Sequence, residues 1–77
     1  MNISVNYFGS LTEVTGCSTE TVEFYGNTIE EFLEELTKKY PSLETKDFQV
    51  AQNKVLVNKK EPLNGEEIAL LPPFSGG

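Results

Sequence analysis

The sequence predicts an α+β fold in which a mixed sheet of four or five strands carries one main helix on one face. Two observations carry this. Apolar residues alternate with period two at both ends of the chain and follow a helical period only in the middle. Glycine, asparagine or proline stands at nearly every change of period. Seventy-seven residues make one domain, 1–77, with a single modest core.

Residues 2–8 alternate Ile3, Val5 and Tyr7 against Ser4 and Asn6, the pattern of a half-buried strand that Gly9 ends. Leu11 and Val14 followed by Gly16 predict a short helical turn closed by glycine. Residues 19–25 alternate again, with Val22 and Phe24 on one face, as a second strand. Gly26-Asn27 breaks that pattern. From Thr28 the apolar positions Ile29, Phe32, Leu33, Leu36 and Tyr40 recur at helical spacing. Thr28 with Glu31 three residues on is a capping box, Lys38 and Lys39 suit the negative end of the helix, and Pro41 stops it.

A loop is expected over 41–47. Residues 48–52 and 55–58 then read as short strands around Asn53-Lys54, where asparagine tolerates the positive φ of a tight hairpin. Pro62-Leu63 and Asn64-Gly65 are turns before a last strand over 66–71, which Pro72-Pro73 terminates because neither residue donates to a ladder. The predicted order is β-β-α-β-β-β. One helix covers one face of the sheet and leaves the other open.

Composition excludes much chemistry. There is no histidine and one cysteine, Cys17, so zinc and iron–sulfur sites and Ser-His-Asp or Cys-His pairs have no ligands or bases to draw on. Nothing beside Cys17 would activate its thiol, so it reads as a packing or surface residue. Net charge is −6, with six lysines and no arginine, which disfavours nucleic acid as a partner. No run of the sequence approaches a membrane span and none resembles a signal peptide, so a cytoplasmic location is expected. Glu30, Glu31, Glu34 and Glu35 read as the solvated side of the helix, and Lys59-Lys60 as a polar turn.

Three apolar residues fall out of phase with the core. Phe8 lies opposite Ile3, Val5 and Tyr7. Leu56 cannot share a face with both Val55 and Val57, and Leu71 is out of step with Ile68 and Leu70. If their strands are neighbours, Phe8, Leu56 and Leu71 cluster on the open face, where an exposed apolar patch marks a protein interface. Beyond them runs the tail Pro72-Pro73-Phe74-Ser75-Gly76-Gly77. Two prolines stiffen its base in an extended form, and about five residues reach roughly 16 Å beyond the sheet. Phe74 supplies an aromatic anchor. Gly76 and Gly77 have no side chains to keep a narrow channel from closing around the terminal carboxylate.

These residues resemble a family. Val50-Ala-Gln-Asn-Lys-Val-Leu-Val57, Pro62-Leu-Asn-Gly65 and Ile68-Ala-Leu-Leu-Pro-Pro-Phe-Ser-Gly-Gly77 are similar to the small subunit of molybdopterin synthase, the MoaD type, over the whole length. The resemblance implies a ubiquitin-like β-grasp fold with 72–77 as a functional tail. It implies that an E1-like adenylyltransferase uses ATP to adenylate Gly77 and that sulfur transfer leaves a thiocarboxylate there; the carrier itself binds no cofactor or metal. It implies insertion of the tail into the large synthase subunit, sulfur donation to cyclic pyranopterin monophosphate, and a heterotetramer of two carriers and two large subunits. Phe8, Leu56 and Leu71 correspond to the family's docking residues. Phe74 and Ser75 stand where the family often carries smaller or β-branched residues. Other readings are the thiazole-forming sulfur carrier of thiamin synthesis, a carrier for cysteine or tungsten-cofactor synthesis, a ubiquitin-like modifier joined through Gly77 to lysine, and a β-grasp binding module with an idle tail.

Overall fold

Alternation along the first strand decides which side of the sheet is inside. The computed structural model describes residues 1–64 and 67–73. Strand β1 (Asn2–Tyr7) buries Ile3, Val5 and Tyr7 and turns Ser4 and Asn6 the other way. A short helix, α1 (Leu11–Thr15), follows and is closed by Gly16, whose φ of 79° lets its N–H reach the Thr12 carbonyl at 2.8 Å. Strand β2 (Thr19–Glu23) returns antiparallel to β1, pairing Val22 with Ile3. It ends at Glu23 rather than residue 25, because its partner begins at Asn2.

Helix α2 (Ile29–Lys39) forms where its sequence signals lie. The Thr28 side chain accepts from the Glu31 N–H at 3.2 Å, and the Glu31 carboxylate accepts from the N–H groups of Asn27 and Thr28 at 2.8 and 3.1 Å. Those backbone bonds hold the Glu31 carboxyl below the usual carboxylate range. The first helical N–H groups, those of Ile29 and Glu30, donate to the carbonyls of Glu61 and Lys59, which ties the 58–63 loop to the helix start. Ile29, Phe32, Leu33 and Leu36 are buried against the sheet, where the rings of Phe32 and Phe24 meet edge-on at 5.1 Å.

The expected loop over 41–47 contains a 3₁₀ turn (Pro41–Thr45). Pro41, which cannot continue α2, opens the turn, and the turn buries Leu43. Strands β3 (Gln49–Gln52) and β4 (Val55–Leu56) form a hairpin shorter than the sequence suggests. Asn53 and Lys54 take φ of 51° and 71° at its turn. Buried Gln52 donates to the Pro62 carbonyl and accepts from the Asn64 N–H, pinning the loop before the last strand. Strand β5 (Glu67–Leu71) ends the described chain with Pro72 and Pro73. Gly65 and Glu66, expected in the turn and at the head of the last strand, lie outside the described residues.

The strand order is β2-β1-β5-β3-β4. The first and last strands pair in parallel at the centre, Tyr7 beside Leu70, and the other pairs are antiparallel. This is a mixed five-stranded sheet with α2 on one face, the β-grasp arrangement. Its core joins Ile3, Val5 and Tyr7 of β1, Ile68 and Leu70 of β5 and the apolar stripe of α2.

Candidate functional site

The face of the sheet away from α2 holds the residues that sequence phase singled out. Register carries one row across four strands, Asn6 beside Ala69, Ala69 beside Ala51 and Ala51 beside Leu56. The next row toward the chain's end holds Leu71 opposite Gln49, with Phe8 just past the end of β1. The Phe8 N–H donates to the Leu70 carbonyl at 3.1 Å, so Phe8 continues the β1–β5 ladder and stands next to Leu71. Phe8 is 47% exposed and Leu56 60% exposed, while Leu71 is half-buried. Ala69 and Ala51 are small and leave a low floor between Leu56 on one side and the Phe8–Leu71 pair on the other.

Val55 is also exposed, a feature that sequence phase does not separate from the core. By register it sits opposite Gln52 and points toward the helix side, but at the edge of the sheet, beyond the helix. The residues after it, Leu56 and Val57, line a surface hollow with Phe48 and Lys59.

The tail leaves at the same end as Phe8, because β5 runs parallel to β1. Pro72 follows Leu71 directly and lies against Gly9. Phe74, Ser75, Gly76 and Gly77, the tail residues expected to act, lie outside the described residues.

Elsewhere the titratable groups are used for structure. The Glu20 carboxylate accepts from the hydroxyls of Tyr7 and Tyr40 at 2.6 and 2.7 Å and from Lys39 Nζ at 2.6 Å. Burial pushes both tyrosines far above their ordinary range, and their bonds to Glu20 add to it. For Glu20, burial works against the charge, yet the donors from Lys39, Tyr7 and Tyr40 outweigh it and its carboxyl lies below the ordinary value. The cluster clasps β2 to the C-terminal end of α2. Half-buried Cys17 packs against the core, and its N–H and thiol donate to the Thr15 hydroxyl. Glu30, Glu31, Glu34 and Glu35 are all exposed, and Lys59-Lys60 lie in a polar turn. Among the described residues no group of His, Cys, Asp and Glu could hold a metal ion, and no helix is long and apolar enough to cross a membrane.

A β-grasp domain with an apolar strip on its open face and a proline-based tail beside it defines the class of ubiquitin-like carriers and modifiers. The ThiS family model matches residues 5–77, and the chain belongs to that family. A relative from Chlamydomonas reinhardtii, the molybdopterin synthase sulfur carrier subunit, is 36% identical, with both chains covered in full. SAMP1, small archaeal modifier protein 1, from Haloferax volcanii has a similar structure at TM-score 0.83 and 29% identity, again over both whole chains. A protein–protein complex of subunits 1 and 2 of molybdopterin-converting factor from Helicobacter pylori contains a chain that matches at TM-score 0.69 and 30% identity, over the full length of both.

Proposed function

We propose that this protein is the sulfur carrier subunit of molybdopterin synthase, working through the carboxylate of Gly77. The observation that carries the reading is the parallel pairing of β1 with β5, which brings the tail out beside the apolar strip of Phe8 and Leu71. One partner surface can therefore hold the strip and receive the tail together. The relatives support the partner: the Helicobacter pylori structure is a complex of such a subunit with subunit 2.

A terminal carboxylate is ionised at neutral pH and inert toward nucleophiles. An E1-like adenylyltransferase supplies the activation. The carboxylate oxygen of Gly77 attacks the α-phosphorus of ATP, pyrophosphate leaves, and an acyl adenylate remains. A sulfur nucleophile then expels AMP and leaves a thiocarboxylate. Inserted into the large subunit, that sulfur attacks an activated carbon of cyclic pyranopterin monophosphate and displaces an oxygen substituent from it. Water then cleaves the acyl–sulfur bond, which leaves the sulfur on the pterin and returns Gly77 to a carboxylate. Two carriers deliver two sulfurs in a heterotetramer. The chain is the substrate-like partner in each step and catalyses none of them alone; ATP belongs to the activating enzyme, and the setting is cytoplasmic. Pro72, Pro73, Phe74, Ser75 and Gly76 guide the carboxylate, and Phe8, Leu56 and Leu71 dock the carrier.

Intact mass spectrometry after incubation with the activating enzyme, ATP and a sulfur donor tests the chemistry. One oxygen of Gly77 is replaced by sulfur in the full chain, and a chain lacking Gly77 stays unchanged. An unaltered mass with a competent activating enzyme sinks the reading. The pterin product is preferred over the thiazole because the curated relative named above is a molybdopterin synthase subunit. The SAMP1 likeness favours a second reading, in which Gly77 forms an isopeptide with lysine. Lysine conjugates recovered from cell extract, with no pterin sulfuration in vitro, would select it.

A further inference from the structure

We propose that Gly9 is a positioning residue for the tail: its missing side chain is the seat of the Pro72 ring and sets the direction in which the chain leaves the sheet. The inference rests on the carrier reading for its consequence, but the seat is a property of the free protein.

Two constraints already act on the tail's base. Proline fixes its own φ, and it forces the residue before it, Leu71, to stay extended. What remains free is where the Pro72 ring comes to rest. A Cβ added at Gly9 would lie 2.6 Å from Pro72 Cγ, 3.6 Å from Cδ and 3.8 Å from Cβ, so its three nearest neighbours are all atoms of that ring. The φ of Gly9 is +60°, a region that L side chains rarely adopt. Conformation and space both demand glycine here.

The seat is firmly mounted. On one side of Gly9 the Phe8 N–H bonds to the Leu70 carbonyl, two residues before Pro72. On the other, the Gly9 carbonyl accepts from the Thr12 N–H at 3.2 Å and the Thr12 hydroxyl at 2.9 Å. Gly16 supplies the contrast: its φ is +79°, but a Cβ there would meet nothing within 4 Å. The two glycines share a conformational demand and differ in the contact.

Five residues follow Pro72, and fully extended they reach about 17 Å, so a small displacement of the ring is magnified at Gly77. A tail already aimed loses less freedom on entering a channel. Misplacing a reacting group by about 1 Å can cost a hundredfold in rate, which sets the scale of the loss.

The test has two arms. In the first, pyrophosphate release by the E1-like adenylyltransferase is measured with the wild type and with Gly9→Ala, Gly16→Ala, Pro72→Ala and the Gly9→Ala/Pro72→Ala pair, at a temperature below every variant's melting midpoint. Gly9→Ala lowers kcat/KM about tenfold or more, mostly through KM, while Gly16→Ala stays within twofold. With the ring removed by Pro72→Ala, adding Gly9→Ala costs less than twofold. Additive losses, or equal losses at the two glycines, overturn the proposal. In the second arm, NMR on the free wild-type chain detects nuclear Overhauser contacts between Gly9 Hα and the Pro72 ring; their absence overturns the proposal whether or not Gly9→Ala folds. If these contacts are present but the full chain is never activated, the carrier reading fails and the seat stands.

Discussion

Truncating the exposed strip should weaken binding to the large subunit while leaving the fold intact. Fully burying a leucine or phenylalanine side chain is worth about 1.5–3 kcal/mol. Leu56 is 60% exposed and Phe8 47% exposed, so each has roughly half of that still to gain when a partner covers it. Replacement by alanine keeps the Cβ, so the expected loss is about 1 kcal/mol each, near fivefold in Kd. Leu56 lies on β4, three strands from β1 in the sheet, and strands stand about 4.8 Å apart, so it is roughly 14 Å from Phe8. At that separation the two losses should add, giving about 2 kcal/mol or roughly thirtyfold for Phe8→Ala/Leu56→Ala. Leu56→Ala should change unfolding stability by no more than about 0.5 kcal/mol, as for other exposed positions. Calorimetric titration into the purified large subunit reads the affinities, and urea unfolding reads the stability. If both single variants and the pair bind within twofold of the wild type, the strip is not the docking surface.

Glu20→Gln removes the charge that holds Tyr7, Tyr40 and Lys39. Lys39 is itself half-exposed and its ion pair adds little, so the loss of about 1.5–3 kcal/mol near pH 7 comes mainly from the tyrosine hydroxyls. Because the Glu20 carboxyl is lowered in the fold, its contribution is complete above the unfolded value of about 4.3 and fades as pH falls through the lower folded one; urea midpoints of wild type and variant should converge at acid pH. A gap that persists unchanged to low pH would place the effect in packing. Gly26→Ala brings a methyl to 2.3 Å from Phe24 Cζ, displacing a ring that packs on Phe32, and should cost about 1–3 kcal/mol in thermal unfolding. No change in midpoint would mean that the ring turns aside freely.

Helix α2 was legible because every signal agreed: the capping box, the apolar period and the proline stop name the same residues that fold. The Asn53-Lys54 hairpin was legible for a similar reason, since positive φ at both central positions suits few residues. Strand phase also placed Phe8, Leu56 and Leu71 on the outer face, because period two separates faces without knowledge of partners. It could not say which strands are neighbours. The parallel β1–β5 pair joins the two ends of the chain, and no local pattern records that. Leu43 shows another limit: one apolar residue in a polar stretch carries no period, yet it is what draws a 3₁₀ turn onto the core. Gly9 read only as the end of a strand, because the ring that needs its empty space belongs to the far end of the sequence. The clasp on Glu20 was hidden likewise, its donors coming from β1 and α2.

In the proposed function, the direction of β5 is what lets one surface serve two tasks. Were the last strand antiparallel to β1, the chain would leave the sheet beside Asn2 and Ser4 rather than Phe8. That end lies about six residues away along β1, or roughly 20 Å. A tail with a reach of at most about 17 Å past Pro72 would then start from the polar end of the outer face, away from the apolar strip. A partner gripping the strip could not receive the carboxylate in the same pocket. With β1 and β5 parallel, Phe8 and Leu71 stand side by side at the tail's root, and Gly9, the next residue after Phe8, carries the Pro72 ring. In the proposed function, docking and aiming meet at one strand end: the apolar Phe8, whose N–H makes the ladder bond to Leu70, and the bare Gly9 after it. In the function proposed above Gly77 carries the chemistry, and this strand end sets where the tail starts.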